Sequence, residues 1–261
     1  MKSANSGHTV CMKLALLADI HSNLQALEAC LAHARSQGAD KLAFLGDLVG
    51  YGADPGAVVK RIMGLAKEGA LVLTGNHDEM AVKPPQDIKT VGNSSAQWTN
   101  EQLNAAQRSF LENLPMTIQL DKVYLVHASV DAPELWRYVY DERMAEQSLR
   151  AASQQSQVRY VFGGHVHLQM LYFRGADGEL MKFEPTPGIA IPVAPRRHWL
   201  ATVGSVGQPR DGDPRAMYAV LDVTSAQLTF HRVAYDHHSA AAAIRQTELP
   251  DFFADRLEQG R

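Results

Sequence analysis

The strongest constraint on the fold lies in the first 75 residues, where short apolar runs alternate with helical patterns and each run breaks off at a polar motif. Residues 14–18 form a buried-strand run that stops at Asp19. Residues 23–37 follow with Leu24, Leu27 and Leu31 at helical spacing and end at Gly38. Residues 42–45 are the next strand. Asp54-Pro55 then offers an N-cap and a first-turn proline, and Val58, Val59, Ile62 and Leu65 carry the apolar face of a second helix. Residues 70–73 make a third strand. Strands separated by helices of this length imply βαβ units and a largely parallel sheet.

Beyond this point the pattern changes. Residues 80–115 are polar, contain Pro84-Pro85 and predict one helix over 94–113. Residues 118–120 and 123–126 flank Asp121-Lys122 as in a hairpin. A helix is expected over 142–152. Strands are expected over 160–162, 170–173, 180–183, 198–201, 217–223 and 227–233, and helical stretches after His238. No repeat or low-complexity linker divides the chain. The reading is one α/β domain over 12–261, in which a mostly parallel set of strands meets a more antiparallel one. Residues 1–11 read as an N-terminal extension, because Met12-Lys13 resembles a start.

Composition narrows the chemistry. Eleven histidines stand against two cysteines, so any metal site must use imidazole and carboxylate rather than thiolate. A formal net charge of -3 gives no field suited to general nucleic-acid binding. No apolar run approaches a membrane span, and the N-terminus lacks the pattern of a signal peptide. A cytoplasmic protein with reduced thiols and no membrane partner is expected, with Cys11 and Cys30 inert. A homo-oligomer is left open.

Five motifs sit where predicted strands end: Asp19-Ile20-His21, Gly46-Asp47, Gly75-Asn76-His77-Asp78, His127 and Gly164-His165-Val166-His167. Open α/β sheets place their sites outside the carboxyl ends of strands, so these residues can converge. Their types suit a two-metal centre. Asp-x-His and His-x-His put two ligands on one side of an extended segment. The carboxylate of Asp47 can offer one oxygen to each of two cations, and Asn76 an amide oxygen. Glycines before Asp47, Asn76 and His165 remove bulk where the backbone turns past the metals. Two cations about 3.5–4 Å apart can generate hydroxide at neutral pH and clamp the attacking and leaving oxygens.

In this order, the motifs resemble those of the calcineurin-like metallophosphoesterase superfamily, and the 204–210 segment resembles its small bacterial and archaeal branch. The resemblance implies a four-layer fold of two mixed β-sheets packed as a sandwich with helices on both outer faces. It implies two divalent ions, Mn, Fe, Zn, Ni or Co. Asp19, His21 and His167 would hold one; Asn76, His127 and His165 the other; Asp47 would bridge them. His77 would contact the phosphoryl oxygen or protonate the leaving oxygen, with Asp78 orienting it. Tyr51 and Arg210 could touch substrate. His8, His33, His198, His231, His237 and His238 read as bystanders.

The expected activity is hydrolysis of a small phosphoester, a diester of nucleotide type favoured. The phosphoprotein-phosphatase pattern carries arginines where this chain has Gly50-Tyr51-Gly52 and Asp78-Glu79-Met80. A diester has one charge less than a monoester dianion and needs less cationic grip. A phosphomonoesterase of the same superfamily and a catalytically silent binding scaffold are the alternatives. Trp98, Trp136, Tyr138 and Tyr140 lie in the irregular segments where specificity would arise.

Overall fold

The alternation of apolar residues along the strands decides the layers. In β1 (Lys13–Leu17), Leu14 and Leu16 face one way and Ala15 and Leu17 the other, and all four are fully buried. A strand buried on both faces must lie inside a layered structure. The computed structural model describes residues 12–87, 89–155, 157–175 and 178–261, and the expected extension 1–11 lies outside them.

Two mixed six-stranded sheets pack face to face. The first runs in the order β3 (Leu71–Leu73), β2 (Lys41–Leu45), β1, β11 (Ala216–Asp222), β12 (Gln227–Val233) and β9 (Ala190–Pro192). The second runs β4 (Thr117–Leu120), β5 (Val123–Val126), β6 (Tyr160–Gly163), β10 (Trp199–Val203), β7 (Gln169–Arg174) and β8 (Leu180–Phe183). The interior between them holds Leu14, Leu16 and Leu45 from one side and Leu125, Phe162 and Leu171 from the other. Burying each such side chain is worth about 1.5–3 kcal/mol.

Helices α1 (Leu24–Ser36) and α2 (Pro55–Lys67) cover the outer face of the first sheet, against Ala15, Leu17 and Phe44. Helix α3 (Asn76–Val82) follows β3; α4 (Val91–Gln102) and α5 (Ala105–Glu112) lie against it. Helix α6 (Glu142–Ser153) covers the outer face of the second sheet, against Tyr124, Val126 and Val161. Helices α7 (His237–Arg245) and α8 (Phe252–Gln259) close the chain. The expected four-layer sandwich is therefore the fold. No helix among the described residues is long and apolar enough to cross a membrane.

Several local expectations change. The helix expected over 94–113 is two helices. Asn104 breaks it by capping α5, its side chain accepting from Gln107 N while the Gln107 side chain accepts from Asn104 N. Asp54 stands at the N-cap of α2 but makes no side-chain cap bond. The short strand β9 went unpredicted because its proline suits only a sheet edge. The two halves of the sequence also do not form separate sheets. Strand β11 returns to pair antiparallel with β1, so both sheets mix orientations.

Candidate metal centre

Strand direction gathers the motifs. Strands β1, β2 and β3 are parallel, and so are β5, β6 and β10. The carboxyl ends of each trio reach one edge of the sandwich and deliver Asp19 and His21, Asp47, Asn76 and His77, His127, and His165 and His167 to one place. The loops are stitched by main-chain bonds, Asp19 N to Gly46 O (3.1 Å), His21 N to Asp47 O (3.0 Å) and Gly164 N to His127 O (2.9 Å). The 204–210 segment docks on the end of β1 through Val206 N to Ala18 O and Gly207 N to Asp19 O, both 2.9 Å.

The expected extended conformation of Asp-x-His and His-x-His is not what forms. Asp19, His21, Asp47, His165 and His167 all adopt left-handed backbone, with φ between 48° and 68°. Such conformations cost of order 1–3 kcal/mol each and persist where the surroundings over-determine them. Tight turns, rather than a shared strand face, bring the ligands together. Two glycines make room for this. A Cβ on Gly75 would collide with Asp47, and one on Gly164 with Asp19 and Ala18.

Two trios result, Asp19 with His21 and His167, and Asp47 with His127 and His165. Within each, the ligand atoms lie within 4.8 Å of one another, and no member of either is more than 5% exposed. Each imidazole is aimed by a main-chain carbonyl. His21 Nδ1 donates to Val49 O (3.1 Å), His127 Nδ1 to Leu45 O (2.8 Å) and His167 Nδ1 to Gln208 O (2.6 Å). His165 is reversed, with Nε2 donating to Trp136 O (2.8 Å). A carbonyl only accepts, so each bonded nitrogen carries the hydrogen, and in the neutral ring that a metal requires the other presents a lone pair. These lone pairs face each other, His21 Nε2 against His167 Nε2 at 3.0 Å and His127 Nε2 against His165 Nδ1 at 3.2 Å. The Asn76 side-chain oxygen is buried with no hydrogen-bond partner. Facing lone pairs, two carboxylates and an orphaned amide oxygen at the start of α3 fit divalent cations.

Asp47 joins the trios differently from expectation. Its Oδ2 lies 3.3 Å from His127 Nε2 and 3.8 Å from His21 Nε2, whereas Oδ1 is taken by the His77 N–H at 2.8 Å. One oxygen, not two, faces both groups.

Charge crowding shows in the proton affinities of the protein groups alone. Burial, with the Asp47 charge beside it, pushes Asp19 up to about 7. Burial would keep His127 neutral, but the Asp47 carboxylate reverses this and holds it up to about 9. Burial holds His21 and His167 well below the ordinary histidine value, the Arg210 charge helping. His77 is held low by burial, with the charges of His127 and Arg210 acting the same way. It is buried, edge-on to Tyr51 with ring centroids 4.3 Å apart.

Asp78 does not orient the His77 ring. Its carboxylate accepts from Leu48 N (2.8 Å), Val49 N (3.2 Å) and Gly75 N (2.9 Å), bracing the Asp47 loop against the start of α3. Tyr51 packs on His21 at 4.6 Å, and Arg210 donates to Gln208 Oε1, on the residue whose carbonyl aims His167, so both residues named as substrate candidates border the centre. The bystander histidines divide. His33 and His231 pack with Tyr218 away from the centre, and His8 lies outside the described residues. Cys30 is buried in the core, and burial pushes its thiol up; Cys11 lies outside the described residues.

The domain model for the calcineurin-like phosphoesterase superfamily matches residues 12–226. The chain belongs to this superfamily. It is 32% identical to an uncharacterised protein of Methanocaldococcus jannaschii over 254 residues, 95% of this chain and 98% of the relative. A metallophosphoesterase from Sphaerobacter thermophilus superposes with a TM-score of 0.85 at 33% identity, over 96% of this chain and all of that one. A hypothetical protein from Pyrococcus horikoshii shares the fold, with a TM-score of 0.74 at 18% identity over 96% and 99% of the two chains.

Within this phosphoesterase frame, sequence reasoning missed two sets of residues. One supplies backbone, the carbonyls of Trp136 and Gln208, which no side-chain pattern signals. The other comes from the C-terminal helix α8, beyond the matched domain. Phe253 packs on Tyr51 at 5.0 Å, and Leu257 borders a small cleft with His21, Tyr51 and Gln208.

Proposed function

We propose that this protein is a two-metal phosphodiesterase acting on a small, nucleotide-type diester. Asp19, His21 and His167 would hold one cation and Asn76, His127 and His165 the other, with the Asp47 carboxylate between the two groups. The observation that carries the reading is the pair of facing imidazole lone pairs around Asp47, beside the unpartnered Asn76 oxygen. When bound, two divalent cations supply an activated water and neutralise charge on the phosphoryl oxygens. The chain's own residues do the rest. His77, anchored by its N–H to Asp47, donates a hydrogen bond to the phosphoryl group or a proton to the leaving oxygen. Tyr51 walls its ring, and Arg210 supplies a fixed positive charge.

Two features support the substrate class. Tyr51, rather than an arginine, stands where a monoester-gripping guanidinium is usual in phosphoprotein phosphatases. Tyr138 stacks on His165 at 4.0 Å and 20°, and is 47% exposed, so a planar base can lie on it. Arg210 favours a second reading, phosphomonoester hydrolysis, because one guanidinium is held at the rim on Gln208, whose carbonyl aims His167. The test is a panel of Mn-, Zn-, Ni-, Fe- and Co-loaded protein on bis(p-nitrophenyl) phosphate and p-nitrophenyl phosphate. Faster turnover of the diester is expected. Faster turnover of the monoester moves the assignment to the second reading, and inertness on both leaves a metal-binding scaffold.

A further inference from the structure

The ring of His77 is held differently from the four imidazoles around it. His21, His127, His165 and His167 are each aimed by a hydrogen bond to a main-chain carbonyl. His77 is tied to Asp47 through its main-chain N–H, and among the described residues no group is hydrogen-bonded to its ring. Asp78, beside it in sequence, is spent on main-chain amides. Packing therefore sets the direction of the ring.

Three residues supply that packing. The His21 ring stands edge-on at 5.1 Å and the Tyr51 ring at 4.3 Å, separations at which aromatic edges and faces attract. The backbone of Gly50 passes so close that a Cβ there would lie 2.9 Å from His77 Nδ1. Tyr51 in turn has left-handed backbone, φ 65°, and its N–H donates at 3.0 Å to the hydroxyl of Ser95, a fully buried residue of α4. That bond places the main chain and leaves the ring free to choose its rotamer. Phe253 of α8 backs the ring, with centroids 5.0 Å apart and planes at 34°. Three rings thus run in contact from the centre to the C-terminal helix. Phe253 has little room to move. It is 2% exposed, in a cluster with Ala241, Ile244 and Leu257 that joins α7 to α8. Arg245 of α7 bridges to Asp255 and Glu258 of α8 at 2.7 and 2.8 Å, and Gly212 N donates to Gly260 O at 2.8 Å. Close-packed groups pass a displacement on to their neighbours instead of absorbing it.

We infer that Phe253 is a positioning residue, through which the α7–α8 hairpin holds the Tyr51 ring against His77 and aims the imidazole at the phosphoryl group. This rests on the role given to His77 above and deepens it. Helix α8 lies outside the residues that the superfamily domain model matches, so a group of the hydrolytic core is aimed from beyond that core.

The test uses the Mn-loaded full chain and whichever of the two nitrophenyl substrates it turns over faster. Phe253→Ala should lower kcat about 10–10²-fold, the scale of an ångström-sized misplacement, with KM within about twofold and both cations retained. Phe253→Leu, which keeps an apolar backing, should lose less. In the His77→Ala background neither substitution should change kcat by more than about twofold, because both act through His77. If Phe253→Ala does not fold, Phe253→Leu decides the cycle. Unchanged kcat in the variants that fold, an equal loss with and without His77, or loss of metal overturns the proposal. If no phosphoester turns over, or if His77→Ala costs no turnover, the reading of His77 fails instead. The geometry is then decided by NMR of the Zn-loaded protein at one pH, with the His77 ring signal assigned by its absence in His77→Ala. That signal should shift in Phe253→Leu while the ring signal of His231 stays. A His77 signal that does not move overturns the proposal.

Discussion

The two trios of ligands look alike in composition but differ in what holds them. Asp19, His21 and His167 are braced by the ends of core strands and the 204–210 segment, through Val49 O, Gln208 O and the bonds that stitch Asp19 to Gly46 and Gly207. In the other trio His127 is equally secure, but His165 leans on the carbonyl of Trp136 and lies under Tyr138. Both belong to a surface segment with Leu135, Tyr138 and Tyr140 about half exposed. Its anchors are Val139, buried against helix α6, and three polar contacts, Trp136 Nε1 on Glu79 (3.2 Å), Arg137 on Asp131 (2.7 Å) and Lys182 on Tyr140 O (3.3 Å). One side of the centre is thus built into the sandwich, and the other depends on a loop. The first should hold its cation tightly, and the second should exchange.

The largest effect is expected where the two sides meet. Asp47→Asn removes the charge that faces both groups, so turnover should fall at least about 10³-fold and both cations should be lost together. Metal analysis after gel filtration checks this. Retention of one full equivalent would mean that Asp47 serves one side alone.

Next comes His77, which belongs to neither trio. His77→Ala should lower kcat by about 10²–10⁴-fold, the range for a positioned proton donor, with both cations retained. Metal content and steady-state rates on one preparation test it. Turnover at the level of the unsubstituted enzyme would remove His77 from the chemistry.

What the sequence revealed follows the same division. The convergence of the two candidate trios was legible because side-chain chemistry at strand ends is written in residue type and order, and the sandwich because strand and helix periodicities differ. The supports were not legible. The carbonyls of Trp136 and Gln208 can belong to any residue, and the left-handed turns at Asp19 and His165 are imposed by the loops around them. The role expected of Asp78 failed for a related reason. A carboxylate next to a candidate catalytic histidine in sequence can spend itself on main-chain amides, and here it bonds three. Phe253 was invisible because only the packing of α8 brings it onto Tyr51, some 200 positions earlier.

The loop itself can be loosened without touching a ligand. Trp136→Gly tolerates the left-handed backbone, φ 49°, but removes the indole that anchors the segment on Glu79 and packs on His127. Affinity for one cation should fall about tenfold, the usual scale for losing a group that orients a ligand, while the other stays bound. Titration with a chelator reads both at once. The unsubstituted protein should release its cations in two steps, and the substitution should move only the weaker step. Equal movement of both steps would mean that the two sides are not separately supported.

The smallest effect is expected at Tyr138, and it distinguishes stacking from support. Its ring covers His165 on one face and is open on the other. Tyr138→Leu keeps an apolar cover over the ligand but removes the aromatic platform. Stacking of a base is worth about 1–3 kcal/mol. KM for the 4-nitrophenyl ester of thymidine 5′-phosphate should therefore rise at least about fivefold, with little change for methyl 4-nitrophenyl phosphate, which has no base. Chelator release should be unchanged. If the weaker cation leaves more readily instead and KM does not move, Tyr138 is part of the loop's grip on His165, and the exposed side of the centre has no platform for a base.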